Sequence, residues 1–152
     1  MDSVRTDASP AGNAPPCWEH FEHMADIGLR GYGSSIAQAF EQIALAMTAV
    51  ITAPGKVRPQ RAVSIVCTTT DPELLLVDWL NALIYEMASR HMLFARFAVR
   101  INEHGLEATA WGETVDRSRH RPAVEVKGAT MTALAVREQP PGVWSAQCVV
   151  DV

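Results

Sequence analysis

Two stretches of the chain carry apolar residues at helical spacing. Ile36, Phe40, Ile43, Met47 and Val50 recur at steps of three and four, which puts them on one face of a helix. Ser35-Ile36-Ala37-Gln38 in front of them reads as a capping box: a hydroxyl at the N-cap and a glutamine three residues later. Pro54-Gly55 marks the turn after it. In the second stretch Asp71 is a good N-cap, and Pro72 at the first helical position gives up an amide that had no helical partner. Leu74, Leu75, Leu76, Val77, Trp79, Leu80, Leu83, Ile84 and Met87 follow before about Ser89. Such a helix is expected to be buried on most sides. Asp78 and Asn81 share the face that interrupts it, and that face is expected to meet solvent or a partner.

The remainder alternates with period two, the mark of half-buried strands. Val63, Ile65 and Cys67 form one series. Leu93, Ala95, Phe97, Val99 and Ile101 form another, with Arg96, Arg100 and Asn102 on the opposite face. Leu106, Ala108 and Ala110 form a third, closed by Gly112. Val124 with Val126, the segment from Thr130 to Arg137, and the run from Val143 to Val150 continue the pattern, with turns at Gly105, Pro122 and Pro140-Pro141-Gly142. The expectation is an α+β fold: one compact domain of mostly antiparallel sheet packed with two helices. It should span residues 18–152, after a disordered leader at residues 1–17.

Composition narrows the function. With 152 residues the chain suits one domain, and its 48% hydrophobic content supports a real core. No apolar run reaches the roughly 18 residues of a membrane helix, and the leader lacks the apolar segment of a signal peptide, so a cytoplasmic location is expected. The formal net charge of -4 disfavours a protein that grips bare nucleic acid through its phosphates. Cys17, Cys67 and Cys148 are odd in number and far apart, which argues against a disulfide framework or a zinc knuckle. Cys67 and Cys148 read as buried packing residues.

The densest polar segment is Trp18-Glu19-His20-Phe21-Glu22-His23-Met24-Ala25-Asp26-Ile27-Gly28. Along one straight strand His20 and Asp26 would share a face and His23 would point away. His20-x-x-His23-x-x-Asp26 is therefore a poor ligand set unless a turn intervenes. At the other end, Val149-Val150-Asp151-Val152 is an apolar strand ending on Asp151 and an α-carboxylate, both hard oxygen donors suited to Ca²⁺, Mg²⁺ or Mn²⁺. Were that strand to lie beside Asp26, three carboxylates would meet and repel one another without a cation. From the residues alone, Asp151 reads more readily as a solvated residue at a fraying end. His120, Glu125 and Lys127 form a third cluster. Glu125 and Lys127, two apart, could be a surface ion pair worth about 1 kcal/mol at most, or contacts to a nucleotide or a partner. No hydrolase, phosphate-loop or dinucleotide motif occurs, and spacing nominates no nucleophile with a base.

The segment from Trp18 to Gly28 resembles the N-terminal motif of the archease family. The resemblance continues through Tyr32-Gly33, Ala39-Phe40-Glu41, Ala44-Leu45-Ala46-Met47, Leu75-Leu76-Val77-Asp78-Trp79-Leu80-Asn81, Gly112-Glu113, His120 with Glu125-Val126-Lys127, and Val150-Asp151-Val152. It implies a compact α+β protein that binds a divalent cation through Asp26, Asp151 and Val152. It implies an accessory role: activating an RtcB-type RNA ligase, in guanylylation with GTP and Mn²⁺ and in multiple turnover, during tRNA splicing or RNA repair. RNA would then be met indirectly, through the ligase, and the chain would not itself be an enzyme. His23, His120, Glu125 and Lys127 become candidates for partner or nucleotide contact. Thr130-Met131-Thr132 departs from the family's usual Thr-Tyr-His run, and Gly128 stands where Ala is usual. Rival readings are a metal-dependent hydrolase using the same carboxylates, and a chaperone-like modulator of an RNA-modifying enzyme. Oligomeric state is left open.

Overall fold

A computed structural model describes residues 15–152. Residues 1–14 of the expected leader lie outside the described residues, and the first strand begins at Cys17. In chain order come β1 (Cys17–His23), β2 (Asp26–Gly33), α1 (Ile36–Ile51), a 3-10 turn (Pro54–Lys56), β3 (Arg61–Cys67), α2 (Pro72–Arg90), β4 (Met92–Asn102), β5 (Gly105–Thr114), the single-turn α3 (Arg117–His120), β6 (Gly128–Ala129), β7 (Ala135–Glu138) and β8 (Trp144–Asp151). The fold is α+β, as the periodicity implied. One antiparallel sheet runs β1-β2-β8-β6, with β7 also on β8, and the other runs β3-β5-β4.

Both long helices start where their caps predict. Ser35 Oγ accepts from Gln38 N at 3.1 Å, and Asp71 Oδ2 accepts from Leu74 N at 3.0 Å. The reciprocal half of the capping box is displaced by one residue, because Gln38 Oε1 accepts from the amide of Ser34 at 2.8 Å. Helix α1 packs across β1, β2 and β8 and also against β4, burying Phe40, Ile43 and Met47. Each such side chain contributes roughly 1.5–3 kcal/mol by leaving water. Trp79 of α2 is fully buried and donates its indole N–H to the Phe40 carbonyl at 3.0 Å, locking the two helices together. No helix among the described residues is long and apolar enough to cross a membrane.

Four expectations change. Helix α2 is buried up to Leu83, but Leu74 and Tyr85 are exposed and Ile84 and Met87 half-buried, because its C-terminal half borders an open groove. Val124 and Val126 lie in no strand, since that segment passes the domain as extended chain before β6. The run from Thr130 to Arg137 is broken by a turn in which Ala133 takes a positive φ of 55°. In β4 the register shifts between Phe94 and Arg96. This bulge moves Met92 and Phe94 onto the face of Phe97 and Val99, and Leu93 onto the other.

Candidate functional site

The polar segment at residues 18–28 is a hairpin, not one strand. The chain reverses at Met24 and Ala25, and Met24 takes a φ of 54°, a region where glycine is the usual turn residue. The reversal pairs His23 with Asp26 and His20 with Leu29. Directly paired residues point to one face, so His23 joins Asp26, while His20 lies on the α1 side with the fully buried Leu29 yet stays exposed at the sheet edge. There His20 Nε2 hydrogen-bonds the Ala46 carbonyl of α1 at 2.7 Å. The separation expected for a straight strand is thus inverted.

Strand β8 lies beside β2 in a register that pairs Ile27 with Val150. Continued by one residue, that register brings Asp26 opposite Asp151. On the far side Asp151 pairs with Gly128 of β6. The rim of the sheet therefore carries a row, His23, Asp26, Asp151 and Gly128, on the face away from α1. Val152 follows at the end of β8 and packs partly against the core. Asp151 is exposed, and Asp26 and His23 are half-exposed. Among the described residues, no hydrogen bond or ion pair reaches the side chains of these three.

Arg30, on the same face of β2, is engaged by other groups. Arg30 donates to Glu19 Oε2 at 2.5 Å and to Gln147 Oε1 at 2.8 Å, and its guanidinium lies 4.6 Å from the centre of the Phe21 ring. Phe21 covers Gly28, so an apolar row separates Arg30 from the carboxylates. Tyr32 donates to Glu19 at 2.7 Å. Burial works to raise the Glu19 carboxyl, but the hydrogen bonds from Tyr32 and Arg30 hold it below the usual range. Burial and the bond to Glu19 push Tyr32 up to about 12.

Asp26 and Asp151 thus stand on one face of adjacent strands as hard-oxygen donors, and among the described residues neither is joined to a cationic side chain. In donor chemistry they are of the kind that suits a divalent cation. As the side chains stand, no group of three or more His, Cys, Asp or Glu among the described residues could hold a metal.

The other candidates lie elsewhere. Lys127 donates its amide to the Asp151 carbonyl at 2.8 Å. Its side chain is exposed on an open groove lined also by Glu125, Val124, Arg117 and Met87. Glu125 is exposed too, and no ion pair joins it to Lys127 among the described residues. His120 is 1% exposed. Its Nδ1 accepts from Asp116 N at 2.8 Å, and Nε2 lies 2.8 Å from Glu113 Oε2. As placed, the ring offers no nitrogen to an outside partner. The buried carboxylate that holds it, Glu113, was marked in the sequence only by its place in the Gly112-Glu113 motif, with nothing to pair it with His120. Asp78 and Asn81 are exposed, yet each serves the fold. Asp78 accepts from the Thr69 hydroxyl, and Asn81 Oδ1 accepts from Ala129 N at 2.9 Å, fixing β6 to α2.

Gly128 faces Asp151 in the row, and a Cβ there would meet nothing nearer than Asn81 Oδ1 at 3.8 Å. Gly128→Ala is expected to change stability by less than about 0.5 kcal/mol; thermal denaturation would show it.

Comparison with known proteins agrees with this architecture. The model of the Archease protein family matches residues 18–152. "Protein archease" of Pyrococcus abyssi is 37% identical over 139 residues, covering 89% of this chain and 98% of the relative. "Protein archease" of Thermococcus gammatolerans is 38% identical with the same coverage. The solution structure of Methanobacterium thermoautotrophicum protein 1598 superimposes with a TM-score of 0.77 at 31% identity, covering 89% of this chain and 98% of that one. The chain belongs to the archease family.

Proposed function

We propose that this protein is a metal-binding accessory factor that activates an RtcB-type RNA ligase and is not itself an enzyme. The observation that carries the proposal is the register that sets Asp26 beside Asp151 at the sheet rim, with Val152 next in the chain. Asp26, Asp151 and Val152 would hold a Ca²⁺, Mg²⁺ or Mn²⁺ ion. When bound, that cation supplies positive charge to offset phosphate charge. The chain's own part is presentation. A rigid sheet edge fixes two carboxylates on one face, and the Phe21 row keeps Arg30 from neutralising them. Two of the three thiols are poor nucleophiles, since burial pushes Cys148 up to about 12 and also raises Cys67.

Multiple-turnover RNA ligation by the cognate ligase, with GTP and limiting Mn²⁺, tests the reading. Wild-type protein is expected to raise turnover and ligase guanylylation. Asp26→Ala and Asp151→Ala are expected to fold normally and to lose the stimulation. If wild type changes neither rate, the activator reading is wrong. If both variants stimulate fully, the carboxylates are not its working part.

A further inference from the structure

We infer that the extended segment at residues 122–127 and the groove beside it dock a stretch of a partner protein, one that carries carboxylates among apolar side chains and adds to the segment as a β-strand. The inference rests on the accessory-factor reading only for there being a protein partner. The cation site plays no part in it.

The segment is extended but joins no strand. At its ends Ala123 N donates to the Ile51 carbonyl and Lys127 N to the Asp151 carbonyl, both at 2.8 Å. Between these anchors Val124, Glu125 and Val126 make no hydrogen bond, through backbone or side chain, among the described residues. Four residue steps of strand, roughly 13 Å, thus present N–H and C=O groups that another chain can pair with. Because the segment is already held extended at both ends, pairing with it costs little further ordering.

The groove of about 810 Å³ runs alongside. Its wall is apolar. Ile84 and Met87 of α2 are only half-buried there, and Val124 is 38% exposed. Apolar surface left open in this way marks a contact site. Arg117 and Lys127 also line the groove, are exposed, and have no ion pair or side-chain hydrogen bond among the described residues. Arg30, Arg90, Arg100 and Arg119, by contrast, are each paired with a carboxylate. Glu125 is the one carboxylate among the described lining residues. On a chain of net charge -4 this is a local excess of positive charge, and its complement is acidic. A nucleic acid would satisfy the cations but leave the unpaired strand backbone and the apolar wall unused.

The test uses the full chain labelled with ¹⁵N, without ligase or metal. The probe is an acetylated octapeptide of alternating Asp and Val. It is expected to shift the amide signals of Val124, Glu125 and Val126 and to slow their hydrogen exchange. Arg117→Glu combined with Lys127→Glu, both at exposed positions, should bind it about tenfold more weakly, the order expected for losing two exposed ion pairs. The same peptide with methylated backbone nitrogens should give no shift at these amides. Absence of any shift there at millimolar Asp-Val peptide refutes the site. Equal binding of an alternating Lys-Val peptide refutes the charge complementarity, and equal binding of the methylated peptide refutes strand addition. If raising the protein concentration alone brings on the same shifts, the occupant is a second copy. If octauridylate brings them on more tightly than the peptide, the occupant is RNA. Either result overturns the inference. With ligase and metal absent, this outcome and that of the ligation assay are read independently.

Discussion

Gly31→Ala should destabilise the protein by about 3 kcal/mol, the upper end of the usual cost of overpacking a tight interior. For a chain of this size that lowers Tm by roughly 6–12 °C. Gly31 sits in β2 where α1 crosses the sheet. A Cβ added there would lie 2.4 Å from both the Ala39 carbonyl oxygen and the Ile43 amide nitrogen. Both are backbone atoms, so no side chain can rotate aside. The helix must lift off the sheet, and Leu29, Phe40 and Ile43, all fully buried, would loosen together. Gly55 is the matched control, because nothing lies within 4 Å of a Cβ built there. Gly55→Ala should stay within about 0.5 kcal/mol of wild type. Thermal and urea denaturation of the two variants side by side makes the comparison, and equal Tm values would sink the close-approach argument.

Glu113→Gln should cost about 3 kcal/mol at neutral pH, the low end for breaking a buried ion pair, because Arg119 keeps partial contact with water. Glu113 is 6% exposed. Its Oε2 accepts from Arg58 N at 2.9 Å, Arg119 at 2.8 Å and His120 at 2.8 Å, and its Oε1 from Arg119 at 2.9 Å. These contacts tie the start of β3, the end of β5 and α3 to one carboxylate. Hydrogen bonding to Arg119, against the opposing effect of burial, and with help from the Arg58 amide and His120, pulls the Glu113 carboxyl down to about 2. A carboxyl depressed on folding stabilises the fold above its ordinary titration range, and that contribution fades as pH falls from there toward about 2. Wild type should therefore lose stability on acidification, and Glu113→Gln should lose less, since it has no proton to take up at this position. Urea midpoints at pH 7 and pH 3 would decide it. Parallel losses in the two proteins would exclude Glu113 as a source of the acid sensitivity.

Local chemistry in the sequence determined the helices and most of the sheet. Ser35 and Asp71 cap their helices because a side-chain oxygen three residues before an amide can act without tertiary help. Alternation along Val63, Ile65 and Cys67, and along Leu106, Ala108 and Ala110, named a core face because each strand there is straight enough to keep period two. The bulge in β4 could not be read, since one extra residue inverts every side chain beyond it and leaves composition unchanged. The same limit applied to the candidate site. Asp26 and Asp151 were legible as hard donors, and resemblance to the family tied them together. Their being neighbours depends on β8 entering between β2 and β6, a pairing between opposite ends of the chain that no local pattern encodes. The face of His23 stayed open between a straight strand and a turn because Met24 and Ala25 carry no turn signal. Met24 adopts a positive φ that its own preferences disfavour, and the pairing of β1 with β2 on both sides of it is what holds the reversal. Residue type and spacing determined what chemistry this chain can offer, and long-range strand pairing decided which of those groups stand together.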